Sequence, residues 1–231
     1  MNEYKFGELI DSLYSDSKGI ILLDTCSLLD IIRVPKRQNI NILIAGNQII
    51  ENTNHNFNVV LPSLIPSEWK DNVANVCDET QKELKKINSN MSFISTVFQS
   101  IGLESFNIFD VTQHDIEIRL KQLAETIIQN SWVLDSKDSE VEKIGLKALK
   151  RVIDKIPPSK QGKDSTKDCI VYEECLTIGE SLRNIGFDKK IIFISSNTSE
   201  YDNDFIKNEL QSHQINYASS LNWGVHEILK D

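Results

Sequence analysis

The sequence is most informative first in what it lacks. No stretch approaches the roughly 20 consecutive apolar residues that a membrane span requires, so no transmembrane segment is expected. The four cysteines, Cys26, Cys77, Cys169 and Cys175, show neither a C-x-x-C pair nor a Cys/His zinc spacing, which excludes a zinc ribbon or finger. Two of them lie in apolar helical patterns and read as free buried thiols of a reducing cytosol, so a cytoplasmic location is expected. His55, His114, His213 and His226 share no spacing that would make them joint ligands. There is no Ser/His/Asp arrangement, no P-loop and no GxGxxG. Internal repeats and low-complexity linkers are absent. The segment from Met1 to Asp16 scatters acids among its apolar residues and does not read as a secretory signal. Positive charge is also scarce: 25 Lys and Arg face 34 Asp and Glu, a net charge of −9. Taken as an average, this argues mildly against a nucleic-acid binder, whose affinity comes from Lys and Arg on phosphates.

What is present is a chain long enough to bury a core, 231 residues with 40% hydrophobic content, read as one domain over 1–231. Helical spacing of Phe6, Leu9, Ile10, Leu13 and Tyr14 places an amphipathic helix at about 4–15. A fully apolar strand at 20–24 ends in Asp24, and a short helix through Leu28 and Ile32 follows, stopped by Pro35. A second helix is expected over 37–52 and a β-branched strand over 57–61. Pro66-Ser67-Glu68 then opens a helix running to about 101, with Ser67 as N-cap. A weak strand at 106–109 and a capping-box start at Thr112 and Asp115 come next, leading to a helix with Ile116, Leu120 and Ile127. Long helices thus dominate 67–156, the last covering 139–156. A helix from Asp168 to about 184, a strand at 191–194, a helix near 203–212, a strand at 215–218 and a final helix from Leu221 complete the pattern. Alternating strands and helices without hairpin signals predict a three-layer α/β/α fold around a mainly parallel sheet of about five strands.

Three acids sit at element junctions. Asp24 ends the first strand, Glu68 lies in the first turn of the helix after the second, and Asp168 opens the helix before 191–194. In a parallel sheet all strand C-termini share one edge, and ligands bind just beyond it. Each acid alone could be a helix cap. Together they can converge, and like charges so placed repel unless a cation sits among them. Hard oxygen ligands with room for water suit Mg²⁺ or Mn²⁺.

The ordered set of strand–Asp24-Thr25, Pro66-Ser67-Glu68, Lys163-x-Ser165-x-x-Asp168-x-x-Val171-x-Glu173 and Phe193-Ile194-Ser195-x-Asn197 resembles the PIN domain. It is most similar to the longer bacterial PIN-like group in which the third acid follows a Lys/Ser loop. The resemblance implies metal-dependent cleavage of single-stranded RNA. It carries Asp24, Glu68 and Asp168 onto the acidic metal-binding positions, and Thr25 and Ser195 onto supporting hydroxyl positions. Where many members have a fourth Asp after the last core strand, this chain has Asn197, which can ligate through its carbonyl oxygen but brings no charge. Asp202, five residues on, is the candidate stand-in. Relatives commonly form homodimers, and a relative that is a toxin has a small antitoxin as partner.

Charge is unevenly spread. Between 143 and 167 eight Lys or Arg face two acids, Asp154 and Asp164. Lys143, Lys147, Lys150, Arg151, Lys160, Lys163 and Lys167 are therefore candidates to hold a phosphate backbone leading into Asp168. The function expected is that of a Mg²⁺- or Mn²⁺-dependent endoribonuclease, with water as nucleophile. The alternatives are a catalytically weakened module that binds RNA or a protein, and a structure-specific nuclease acting on DNA.

Overall fold

In the computed structural model, residues 2–104, 110–162 and 164–230 are described, with 112 and 113 described in backbone only. The elements are β1 (Asn2–Tyr4), α1 (Phe6–Asp16), β2 (Gly19–Leu23), α2 (Thr25–Ile32), α3 (Val34–Arg37), α4 (Ile40–Asn52), β3 (Phe57–Leu61) and α5 (Ile65–Ser100). A 3-10 turn at Val111–His114 precedes α6 (Ile116–Asn130), β4 (Trp132–Leu134), α7 (Ser139–Ile153), α8 (Thr166–Asn184) and β5 (Ile191–Ile194). Then come α9 (Thr198–Tyr201), α10 (Asp204–Ser212), β6 (Asn216–Ala218) and α11 (Leu221–Ile228).

Among the described residues the strands form one six-stranded, all-parallel sheet in the order β1-β4-β3-β2-β5-β6. Ile20, Ile21, Leu22 and Leu23 in its centre are fully buried, each contributing about 1.5–3 kcal/mol of transfer free energy. Odd and even positions of β2 face different layers, as the period of two demands. Ile21 and Leu23 pack with α2, α4, α6 and α11. Ile20 and Leu22 pack with α1, α7, α8 and α10. The order runs outward from β2 through β3 and β4, then restarts on the other side with β5. That reversal opens a crevice beyond the carboxyl ends of β2 and β5, where open α/β sheets bind ligands.

The sheet has six strands where about five were expected. The two unforeseen ones, β1 and β4, are three residues each and pair with each other at one end of the sheet, with Tyr4 stacked on Trp132 at 5.0 Å between ring centroids. The expected strand at 106–109 lies outside the described residues. The helix expected over 37–52 is α4, which starts at Ile40 because Gln38 takes a left-handed φ of 51° and Asn39 caps it by accepting from the Asn41 N–H at 3.1 Å. α2 ends at Ile32, as expected ahead of Pro35, and Pro35 sits in the first turn of the next helix, α3, where its missing N–H costs nothing. Ser67 is not a cap either: α5 starts earlier, with Leu64 in the N-cap position and Ser67 bonded to the Leu64 carbonyl at 2.8 Å. Asp115 precedes α6 in a left-handed conformation without a side-chain cap bond, so the expected capping box is not formed by it. No helix among the described residues is long and apolar enough to cross a membrane.

The last helix is seated on β5 by a missing side chain. A Cβ on Gly224 would lie 2.3 Å from Ile194 Cδ1 and 2.6 Å from its Cγ1. Gly224→Ala gains up to about 1 kcal/mol of helix propensity, but overpacking costs about 1–3 kcal/mol. A net loss of about 1–2 kcal/mol is expected, read as a lower urea midpoint; an unchanged midpoint would mean that Ile194 repacks freely.

Candidate acidic active site

Asp24 stands one residue beyond the Leu23–Ile194 pair that ends the β2–β5 ladder, and its N–H extends that ladder by donating to the Ile194 carbonyl at 3.0 Å. It occupies the N-cap position of α2 yet makes no side-chain cap bond. Its carboxylate is committed elsewhere: Ser195 Oγ donates to Asp24 Oδ2 at 2.6 Å. Ser195 is itself held by a backbone bond to Ala218 at 3.1 Å and by the Tyr217 hydroxyl, which donates to its carbonyl at 3.1 Å. Thr25, next to Asp24, donates through Oγ1 to Glu68 Oε2 at 2.8 Å. Asn197 donates its N–H to Ser195 Oγ at 3.1 Å and turns its Nδ2 toward Asp168 Oδ1 at 3.5 Å. The Ser199 hydroxyl donates to Asn197 Oδ1 at 3.0 Å, which fixes that amide's orientation. Tyr201 donates to the Asp168 carbonyl at 3.2 Å. Glu68 and Asp168 each lie in the first turn of a helix, α5 and α8, where the dipole favours an anion.

The electrostatics agree with the geometry. Asp24 is 4% exposed, and its carboxyl is pushed up to about 6. Desolvation is the largest cause, and the charges of Glu68 and Asp168 add to it, against the opposing bonds from Ser195 and the Thr25 backbone. The Cys26 thiol is pushed up as well, by burial and then by Asp24 and Asp168, so it supplies no thiolate nucleophile here.

Whether these residues suit a divalent ion can be tested on their donor chemistry. Among the described residues, no three His, Cys, Asp or Glu side chains are grouped closely enough to hold one ion as they stand. Mg²⁺ is ordinarily held by one or two carboxylates with water completing the shell. Asp24 and Asp168 supply two such groups, with mutual repulsion that a cation relieves, so the residues fit in kind.

Two further carboxylates matter that sequence reasoning passed over. Glu174 is fully buried in α8, and its two oxygens accept from the Ser63 N–H at 2.7 Å and the Ser63 hydroxyl at 2.5 Å. That clamps the connection from β3 to α5, which presents Glu68. The signal in the sequence is that Glu174 falls on the apolar stripe of Val171, Cys175 and Ile178. Glu200 is 2% exposed beside Asn197 and pairs with Lys160 at 3.4 Å.

The basic candidates separate. Arg151 cannot serve as a phosphate contact in this structure. It is 6% exposed, donates to Glu173 at 2.7 Å and to Glu209 at 2.9 and 3.0 Å, and also bonds the Pro157 carbonyl. Its guanidinium lies 4.9 Å from the Tyr172 ring centroid. Lys147 and Lys150 are exposed on α7, as is Lys143, paired with Glu140 at 2.5 Å. Lys160 bonds the Ser199 carbonyl beside the acids, and Lys167 pairs with Asp71, one turn past Glu68, at 3.5 Å. Lys163 lies outside the described residues. Asp202 is ion-paired with Lys207, and the carboxylates that raise Asp24 are those of Glu68 and Asp168 instead. Trp69 is buried in the core.

A PIN domain family model matches residues 21–201. The chain belongs to the PIN domain family. No curated protein and no solved structure matches it. Membership places this PIN domain in a nuclease fold family whose members generally depend on a divalent metal. The matched span begins inside β2 and ends at Tyr201, so it contains Asp24, Glu68, Asp168 and Asn197 together.

Arg151→Gln should destabilise the PIN domain by about 3–5 kcal/mol, because it strands two carboxylates that are now paired. Lys147→Gln on the same helix should change stability by less than about 0.5 kcal/mol. Denaturant unfolding of the two variants side by side checks the contrast.

Glu174 generates a pH prediction. Burial lifts its carboxyl from the ordinary 4.5 to about 7, with the Ser63 bonds opposing. Between those values the folded chain keeps a proton that the unfolded chain has released, so this group's contribution to stability falls as pH rises through the window and stays lower above it. Glu174→Gln removes the effect. The stability of the variant relative to wild type should climb from pH 4.5 to 7 and then level off; a flat difference would refute the assignment.

Proposed function

We propose that this PIN domain is a Mg²⁺- or Mn²⁺-dependent endoribonuclease acting on single-stranded RNA. One observation carries the reading. Asp24 and Asp168 are linked through Ser195 and Asn197, and Glu68 is tied to Asp24's neighbour Thr25, so one network of hydroxyl and amide hydrogen bonds joins the surroundings of three carboxylates, two of which oppose the ionisation of the third, Asp24. Asp24 and Asp168 would hold the ion, with Asn197 offering a neutral donor nearby. When bound, such an ion lowers the pKa of water and neutralises charge on a phosphoryl group.

The remaining chemistry belongs to side chains of this chain. Ser195 orients the Asp24 carboxylate by donating to Oδ2, and the Thr25 backbone adds a second hydrogen bond to it. Glu68, anchored by Thr25, is positioned to accept a proton from attacking water. Lys160 and Lys167, both just before Asp168 in sequence, are placed to neutralise the backbone of an RNA strand; the exposed Lys143, Lys147 and Lys150 extend that surface along α7.

Asn197 favours a second reading, a module that binds RNA without cutting it. With Ser199 on its oxygen, its amide offers Asp168 a hydrogen-bond donor in place of a charge that would compel metal binding. Calorimetry with Mn²⁺ separates the two, since the nuclease reading requires saturable binding.

Asp24→Asn and Asp168→Asn should each lower cleavage of labelled RNA by about a hundredfold or more in Mn²⁺, a loss of several kcal/mol of transition-state stabilisation. Asp24→Asn should melt no lower than wild type, because it removes a buried charge while its amide oxygen still accepts from Ser195. Wild-type turnover by either variant, or equal cleavage by wild type in EDTA, would overturn the mechanism. A parallel DNA panel shows whether RNA is preferred.

A further inference from the structure

Beside the acids, on the other side of the Ser195–Ser196 peptide, lies a cavity of about 280 Å³ at the carboxyl ends of β2, β5 and β6. Its wall is continuous with the acidic site. While Ser195 holds Asp24, the next residue, Ser196, donates its N–H to Ser27 Oγ at 3.1 Å. Both serines line the cavity, together with Asp30, Arg37, Ser219 and Ser220.

Its chemistry is opposite to that of its neighbour. Asp30 is buried and is shared by two guanidinium groups: Arg37 reaches Oδ1 through Nε at 3.1 Å and Nη2 at 2.8 Å, and Arg33 Nη1 stands at 3.8 Å. Lys36 and Arg33 also meet Glu79, at 3.0 and 3.8 Å. Three cations against two carboxylates leave a positive excess here, in a chain whose net charge is −9. Arg37 is half exposed, and its Nη1 has no hydrogen-bond partner among the described residues. Ser196 Oγ is enclosed behind the cavity wall and makes no hydrogen bond among the described residues; among the other hydroxyl residues that line the cavity, Thr198, Ser219 and Ser220 have accessible surface. Ser220 is the N-cap of α11 but makes no side-chain cap bond, so the first turn of that helix keeps N–H groups for an anion. Hydroxyls, an uncommitted guanidinium nitrogen and an uncapped helix start together describe a phosphate seat. The volume lies at the lower bound of about 300 Å³ for small-molecule pockets and suits one sugar-phosphate rather than a larger cofactor.

We propose that this cavity seats the sugar-phosphate of the nucleotide next to the bond to be cut, with Arg37 on its phosphate. The inference takes its place in the reaction from the nuclease reading, but its binding chemistry stands on the cavity alone. A flexible single strand can dip one nucleotide into such a concavity while the neighbouring phosphate lies over Asp24 and Asp168. The basic residues that matter most for register would then be Arg33 and Arg37 as well as the lysines of 143–167.

The test is fluorescence anisotropy of a labelled, mixed-sequence RNA octamer, titrated in EDTA at several salt concentrations so that no cutting occurs. The proteins are wild type, Arg37→Gln, Ser219→Trp to fill the cavity, and Lys189→Gln as a control at the opposite sheet edge. Arg37→Gln should bind about tenfold more weakly, and its slope of log affinity against log salt should fall by about 0.7, the loss of one phosphate contact to a single strand. Ser219→Trp should also weaken binding, and Lys189→Gln should match wild type. If Arg37→Gln does not fold, Ser219→Trp decides. Wild-type affinity in the cavity variants, losses no larger than those of the control, or no RNA binding by wild type would overturn the subsite. So would inorganic phosphate that binds through Arg37 without competing with the octamer. Cleavage by wild type in Mn²⁺ is read separately: its absence, with Arg37-dependent binding retained, sinks the nuclease reading and leaves the subsite standing.

Discussion

A carboxylate buried at the end of an all-apolar strand is the constraint on which the rest of this PIN domain depends. β2 is central because four consecutive side chains need cover on both faces, and centrality carries Asp24 out of water with them. An ionised carboxylate in that position is costly unless bonded or paired. Among the described residues it receives a strong hydrogen bond from Ser195 but no paired cation, and Glu68 and Asp168 stand close enough to oppose its ionisation. A fold selected only for stability would have placed a hydroxyl or an apolar side chain there. Keeping the acid is a stability cost that makes sense where a positively charged ligand is to be received.

Elsewhere the same chain handles buried charge in the opposite manner. Arg151 is as deeply enclosed as Asp24, yet it is surrounded by Glu173, Glu209, the Pro157 carbonyl and the Tyr172 ring. Its charge is internally matched, so it ties α7 to α8 and α10 and has nothing left for a ligand. Glu174 is intermediate: two hydrogen bonds from one serine, no cation, and burial dominant. What distinguishes the candidate site is therefore not burial of charge as such, but burial of like charges at a sheet edge that opens to solvent.

The contrast explains what was legible in the sequence and what was not. β2 and β5 announce themselves through unbroken apolar runs, and Asp24 and Ser195 through their position at the ends of those runs, so the centre of the fold and of the site could be read from local pattern. β1 and β4 could not. Each is three residues long, β1 is mostly polar, and their pairing joins segments some 130 residues apart through a register that no local period encodes. Arg151 was misjudged for a related reason: sequence shows a charge but not its partner, and Glu209 lies 58 residues away. Ser67 has the residue type of a cap, whereas α5 begins at Ile65 with Pro66 in its first turn.

Charge counted along the chain also concealed charge gathered in space. The stretch 143–167 stands out because eight cations fall within it against two acids, but Arg151 among them is neutralised inside the core. Arg33, Lys36 and Arg37 are only three cations in a short stretch, and nothing in the sequence shows that folding sets them beside Asp30 and Glu79. Folding leaves that cluster one positive charge in excess and sets it beside hydroxyls and an uncapped helix. The crevice at the switch in strand order is thus flanked by two unlike halves: carboxylates suited to a cation on one side of the Ser195–Ser196 peptide, and guanidinium and hydroxyl groups suited to a phosphate on the other. A polyanion that brings a divalent ion with it is complementary to both halves at once. A free cation or a free anion would satisfy only one of them.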